Sequence, residues 1–142
     1  MSSNGNPATH DLIQRIEQLE RTVENMYRGQ IQASELQLVD HDGRLVASFA
    51  ATQDGPSIQL YDTHGAPRAK LEVENDLPSL TLLDEAGKTR GWMGFSKDAI
   101  RVGFADDNGN NRAFFGVMKD SGAQVRFYDE NQSTVWAVPE KE

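Results

Sequence analysis

The feature that most constrains this chain is a period of 22 residues that runs through most of its 142 residues. An aspartate recurs at this spacing, a glycine follows three residues later, and a second aspartate follows fourteen residues after the first. The three series are Asp40, Asp62, Asp84 and Asp106; Gly43, Gly65, Gly87 and Gly109; and Asp54, Asp76, Asp98 and Asp120. Such a period indicates a repeat architecture in which every copy is one supersecondary unit.

Apolar residues alternate with other residues on both sides of each Asp-x-x-Gly element, as in Leu36 and Leu38 before it and Phe49 after it. A period of two is typical of a half-buried β-strand. Asp-x-x-Gly suits a bulged hairpin turn, because Asp accepts nearby amides and Gly takes positive φ. A fifth copy begins at Asp129, with Gln132 in place of the glycine. The predicted fold class is mainly β: a short N-terminal helix followed by five tandem β-hairpins over residues 30–138.

The N-terminal segment has the apolar spacing of a coiled coil. Its seam has steps of 4, 3, 4 and 3 residues and consists of Leu12, Ile16, Leu19, Val23 and Met26. This spacing places all five on one side of a helix predicted over residues 11–29. Asp11 and Gln14 are expected to form a capping box at its start, and Gly29 to end it.

The oligomeric state that this seam favours depends on a short motif. Arg15, Ile16, Leu19 and Glu20 resemble the trimerisation motif of parallel coiled coils, in which the arginine pairs with the glutamate of a neighbouring helix. β-branched residues at the a positions with leucine at d favour dimers instead. A third interpretation is an amphipathic helix that packs on its own domain. We expect a homotrimer, because the repeats that follow suggest the same symmetry.

Ten short strands can be arranged in more than one way. Isolated hairpins bury too little apolar surface, and repeat arrays need neighbours on their open faces. The expected arrangement is a trimeric β-prism or shaft, with a closed single-chain barrel or sandwich and a dimer as alternatives. Tyr61-Asp-Thr-His-Gly65 resembles the hairpin repeats of RHS/YD proteins, although most copies lack the tyrosine. The order of helix and then β-repeats is similar to viral fibre shafts and trimeric stalks.

Charge and composition exclude several classes of partner and cofactor. The net charge is −8 with no basic cluster, so nucleic acid is not an expected partner. Cysteine is absent, which removes disulfides and thiolate ligands. Residues 1–10 and 139–142 read as flexible tails, with neither a Sec signal nor a membrane span. The default expectation is a cytoplasmic protein, with a virion or non-Sec export as alternatives.

No catalytic residue, metal ligand or cofactor is predicted. Aspartates repeated at every turn serve a repeated backbone need, whereas acid–base catalysis needs two carboxyl groups in unlike environments. The turns at Asp40-His-Asp42-Gly and Asp106-Asp-Asn-Gly offer oxygen ligands for calcium, but no EF-hand glutamate follows. His10, His41 and His64 read as solvated residues.

The residues most typical of binding are aromatic. Trp92 and Phe114 share one repeat position, Trp136 stands one position earlier in the fifth copy, and Arg90 and Arg112 precede the first two by two residues. Aromatic residues and arginine are enriched at interfaces. We therefore expect a non-enzymatic structural or interaction protein in which these five residues contact another subunit. The alternatives are a small-molecule or glycan-binding module that uses the same surface, and an enzyme with its site at a subunit interface.

Overall fold

The structure is a computed structural model that describes residues 7–29 and 31–139. It contains two compact units, residues 1–33 with one helix and residues 34–142 with one sheet. The helix, α1, spans Pro7–Tyr27. The strands are β1 (Glu35–Val39), β2 (Leu45–Thr52), β3 (Gly55–Tyr61), β4 (Pro67–Glu74), β5 (Leu77–Leu83), β6 (Thr89–Ser96), β7 (Ala99–Ala105), β8 (Asn111–Met118), β9 (Gly122–Tyr128) and β10 (Thr134–Val138).

Helix α1 begins four residues earlier than predicted. Pro7 occupies the first helical position, where its missing amide would have had no intrahelical partner. Asp11 therefore lies inside the helix, and the predicted capping box with Gln14 is wrong. The predicted end is confirmed, because Gly29 takes a left-handed φ of 75° and its amide donates to the carbonyl oxygen of Met26 at 3.1 Å.

The ten strands form one antiparallel sheet in which each strand pairs with its neighbours in sequence. This order confirms the prediction of tandem hairpins. Among the described strands, contacts join only consecutive pairs, and β1 and β10 remain the two edges. The chain by itself therefore forms neither the closed barrel nor the sandwich that the sequence left open.

The Asp-x-x-Gly turns have the predicted bulged hairpin geometry. At Asp62, the backbone amide donates to the carbonyl oxygen of Ala66 at 2.9 Å, and the amide of Gly65 donates back to Asp62 at 3.0 Å. The ladder register shifts between Leu60 and Tyr61, directly before the turn. The fifth copy forms the same turn without glycine, because Gln132 itself takes a φ of 63°.

The sheet has one face that we call the apolar face. It contains every second residue of the strands, and the register aligns them in three rows across the sheet. In strand order they are Leu36, Leu38, Ala47, Phe49, Ala51, Pro56, Ile58, Leu60, Ala69, Leu71, Val73, Pro78, Leu80, Leu82, Gly91, Met93, Phe95, Ile100, Val102, Phe104, Ala113, Phe115, Val117, Ala123, Val125, Phe127, Trp136 and Val138. None is charged, and the indole N–H of Trp136 is the one polar side-chain group.

The opposite side, which we call the polar face, carries the remaining strand residues. One row of it runs Gln37, Ser48, Gln59, Lys70, Thr81, Trp92, Gly103, Phe114, Arg126 and Ala137. The usual relation between polarity and burial is reversed here. Of the described residues, no large apolar side chain is buried, whereas Ser48, Ser57 and Gln124 on the polar face are. The sheet therefore holds no apolar core of its own.

Candidate functional site

The repeated aspartates organise the hairpin turns. At Asp62, Oδ1 accepts the backbone amides of His64 at 2.8 Å and Ala66 at 3.0 Å, while Oδ2 accepts the Nε–H of Arg68 at 2.8 Å. The same pair of amide bonds forms in the other four copies. The carboxylates thus satisfy turn amides that the sheet ladder leaves unpaired.

These bonds lower the pKa of the turn carboxyls. For Asp40, Asp62 and Asp84 the largest cause is the amide four residues on, which bonds to the ionised form. For Asp106 the largest single effect is desolvation, which raises the pKa. The amides four and two residues on outweigh it, so the pKa of Asp106 is also lowered. A carboxyl held ionised in this way acts as a structural acceptor.

The turn at Asp40 brings the side chains of Asp40, His41 and Asp42 within 4.8 Å of one another. Their oxygen atoms already have partners in the chain. The guanidinium of Arg44 lies 2.9 Å from Asp40 Oδ2 and 2.8 Å from Asp42 Oδ2, and Asp40 Oδ1 accepts two amides. An arginine in the position of a cation makes this turn an internal ion pair.

The two arginines predicted as interface candidates belong partly to the turns. Arg90 lies 3.5 Å from Asp84 and donates from Nε to the carbonyl oxygen of Ala105 at 3.0 Å. Arg112 lies 3.9 Å from Asp106. Both side chains remain 40% exposed. Each of these arginines thus joins its own strand to the turn aspartate of the same repeat.

The three aromatic candidates lie on different faces. Trp136 is on the apolar face, in register with Phe127, and their ring centroids are 5.4 Å apart. Trp92 and Phe114 share a row of the polar face, one on either side of Gly103. The turn between β8 and β9 gives the physical reason. Met118 pairs with Gly122 across three residues, whereas Ser96 pairs with Ala99 across two, and the extra residue moves Trp136, 22 residues after Phe114, to the other face.

Trp92 rests on the backbone of β7. A Cβ placed on Gly103 would overlap Cζ2 of the indole, so the ring occupies the space that a side chain at residue 103 would fill. Arg101 lies over Gly116 in the same way, with its Cγ at 2.8 Å from such a Cβ. Because Gly103 and Gly116 have no side chains, the large side chains of Trp92 and Arg101 pack directly against the strand backbone at these positions.

These side chains line a groove of about 380 Å³ on the polar face, which we call the cradle. Its lining runs from β6 to β9 and consists of Trp92, Arg101, Asn111, Phe114, Met118, Ser121, Gln124, Arg126 and Tyr128. No carboxylate is among them. The rings of Phe114 and Tyr128 are stacked, with centroids 6.4 Å apart, and the guanidinium of Arg126 lies 5.7 Å from the Phe114 centroid.

Sequence reasoning found Trp92 and Phe114 and missed the rest of the cradle. Arg101 and Arg126 fall outside the repeat series, so no periodicity draws attention to them. Strand register was the usable signal, because pairing β8 with β9 puts Arg126 opposite Phe114, and pairing β7 with β8 puts Arg101 opposite Gly116. Gln124, which is 9% exposed, lies opposite Gly116 on the other side.

Comparison with models of known protein families finds no match, and comparison with curated proteins finds none either. Among the described residues, no helix combines the length and apolar character needed to cross a bilayer. Function is therefore inferred from the surfaces of the chain itself.

Proposed function

We propose that the protein is a homo-oligomeric structural or interaction protein whose chains cover one another's apolar faces. The observation that supports this is the apolar face itself. It extends over ten strands, and its large side chains stand about half exposed, as with Phe49 at 51%, Met93 at 47% and Phe115 at 53%. An apolar patch of this extent is rare on monomers and marks an interaction surface.

The exposed area of the chain supports the same proposal. A compact monomer of 15.8 kDa exposes about 7,300 Å², whereas this chain exposes 11255 Å². The difference is close to 4,000 Å². Obligate homo-oligomers bury surface on this scale between their subunits and have interfaces that resemble a divided core.

A second copy of the chain is the partner that best fits the pattern of side-chain sizes. In the row nearest the Asp-x-x-Gly turns, large residues on odd-numbered strands alternate with small ones on even-numbered strands from β1 to β9, as in Leu60, Ala69, Leu82 and Gly91, and Trp136 on β10 departs from this pattern. Ridges and hollows at a regular spacing interdigitate with an identical surface, because packing then reaches interior density. The charged polar face is left towards solvent in this arrangement.

Helix α1 supports a three-chain assembly. All five seam residues are exposed, from 49% at Val23 to 65% at Leu19. Within the described helix, Glu17 pairs with Arg21 and Glu24 with Arg28, while Arg15 and Glu20 form no ion pair. The two motif residues are thus available to bond between helices, as the trimerisation motif requires. We propose that a parallel coiled coil sets the register of a β-prism or shaft.

The solution mass of the full chain, by light scattering after gel filtration, tests this proposal. We expect three times 15.8 kDa. Leu19→Asn should lower this mass at low protein concentration, because it places an amide in the seam. Gln18→Asn, which changes the neighbouring outward residue, should leave the mass unchanged. A monomer would contradict the proposal, and a dimer would retain covered faces but contradict the threefold coiled coil.

A further inference from the structure

We propose that the cradle binds an anionic polysaccharide, a sugar chain that carries carboxylate or sulfate groups. The inference goes beyond the proposed assembly and rests on it in one respect: the polar face must remain open when the apolar face is covered. An assembly of three chains then presents three equivalent cradles, and repeated sites on a repeated ligand bind far more tightly than one alone.

The charge of the cradle selects an anion. The arginines of the repeat series each pair with the first aspartate of their own copy, as Arg68 does with Asp62. Within the described residues, Arg101 and Arg126 have no carboxylate partner, and both line the cradle. Both guanidinium groups thus lie in a groove whose lining contains no carboxylate, in a chain of net charge −8. Guanidinium binds carboxylate and sulfate-like oxyanions through paired N–H donors.

The aromatic rings add a surface for the apolar side of a sugar. Trp92 lies flat over Gly103, and two strands away Phe114 forms a stack with Tyr128. The two platforms stand about 10 Å apart, since neighbouring strands are spaced by nearly 5 Å. Beside them are groups that bond hydroxyls: the Gln124 amide, which donates to Ser121 Oγ at 2.6 Å, and the phenol of Tyr128.

The extent of the cradle favours a chain over a small molecule. Its lining residues come from four neighbouring strands, β6 to β9, so an extended polymer can make contacts along its length. Single-stranded nucleic acid also uses aromatic platforms and cations. Nucleic-acid binding relies mainly on clustered cations that contact successive phosphates, however, and the cradle lining holds two arginines beside groups that bond hydroxyls.

Affinity electrophoresis of the full chain tests the proposal. Native gels would contain polygalacturonate, dextran sulfate or neutral dextran, and a labelled oligothymidylate would be titrated separately. We expect retardation by at least one anionic polysaccharide and none by dextran. Arg101→Gln combined with Arg126→Gln should weaken that retardation by about tenfold or more, because each bond from a charged donor to an anion contributes strongly.

Two matched variants separate the site from general charge effects. Lys70→Gln combined with Lys97→Gln removes the same two charges outside the cradle and should keep the binding. Trp92→Leu keeps the charge but removes the platform, and it should weaken binding without changing the solution mass. Arg101→Gln alone, a change at an exposed side chain, provides the test if the double variant loses its assembly.

Three results would overturn the proposal: no retardation by either polyanion, an equal loss in the lysine variant, or tighter binding of the oligothymidylate than of both polysaccharides. A polygalacturonate response identifies carboxylated chains as the ligand, and a dextran sulfate response identifies sulfated ones. The solution mass of each variant is read independently, so a failed assembly is distinguished from a failed site.

Discussion

Phe115 lies in the middle row of the apolar face, and Phe114 beside it points to the polar face. The ring of Phe115 is 53% exposed in the single chain. A phenylalanine side chain buries about 200 Å² when fully covered, so about 100 Å² of it remains to be buried by another chain. At about 25 cal/mol per Å², this burial contributes roughly 2.5 kcal/mol per subunit.

Phe115→Ala is therefore expected to weaken assembly strongly. The remaining methyl group recovers part of the contact, which leaves a loss of about 2 kcal/mol per subunit and about 6 kcal/mol for three. A factor of ten in an equilibrium constant corresponds to about 1.4 kcal/mol, so the trimer association constant falls by about four orders of magnitude. The concentration at half-assembly varies as the square root of this constant and should rise about a hundredfold.

Sedimentation velocity over a range of protein concentrations measures this midpoint. Phe114→Ala is the matched control, because it removes the same ring from the adjacent residue on the opposite face. We expect its midpoint to stay within a few-fold of that of the unaltered chain. The reasoning is refuted if Phe115→Ala assembles at the original concentration, or if Phe114→Ala is the variant that dissociates.

Three further predictions concern the sheet itself. Gly103→Ala should destabilise the protein by about 1–3 kcal/mol, since its methyl group would displace the indole of Trp92; in a Trp92→Leu background the cost should nearly vanish, as chemical denaturation of both pairs would show. Gln132→Gly should stabilise by about 1 kcal/mol in the same assay, because it relieves a left-handed backbone at φ 63°. Because folding lowers the pKa of the turn aspartates, these residues stabilise the fold fully above about pH 3.8. The stabilisation is lost as the pH falls further, through the folded-state pKa. Thermal melts between about pH 6 and pH 2.5 should show a smaller decline for Asp62→Asn.

The hairpin turns were predictable because their chemistry is local. Each turn consists of an aspartate that accepts the backbone amides two and four residues later, followed by a residue with a left-handed backbone. Such a turn involves only a few consecutive residues. The fifth turn, at Asp129, forms with the same hydrogen bonds although it lacks the glycine, because Gln132 adopts the left-handed backbone conformation instead. The start of α1 was placed wrongly because the capping box at Asp11 was a plausible local signal that competed with a proline four residues earlier.

The cradle was only partly predictable, because its residues come from four strands. Trp92 and Phe114 share a repeat position and were visible in the sequence. Arg101 and Arg126 join them only through strand register, and Trp136 lies on the apolar face because the turn between β8 and β9 has one extra residue. A shift of one residue along a strand moves a side chain to the opposite face of the sheet. A repeat period therefore does not predict the face of a residue that follows an insertion or a bulge.

The sequence by itself determined the elements: a helix with an apolar seam, ten strands in five hairpins, and the turn at each first aspartate. These follow from periodicity and turn chemistry, which act over a few residues. Only the tertiary structure decided that the strands pair in order as one open sheet, with the alternating apolar residues of all ten strands on the same side. Closure into a barrel or a sandwich would have used the same hairpins. The difference lies in contacts between distant strands, which local energies do not encode.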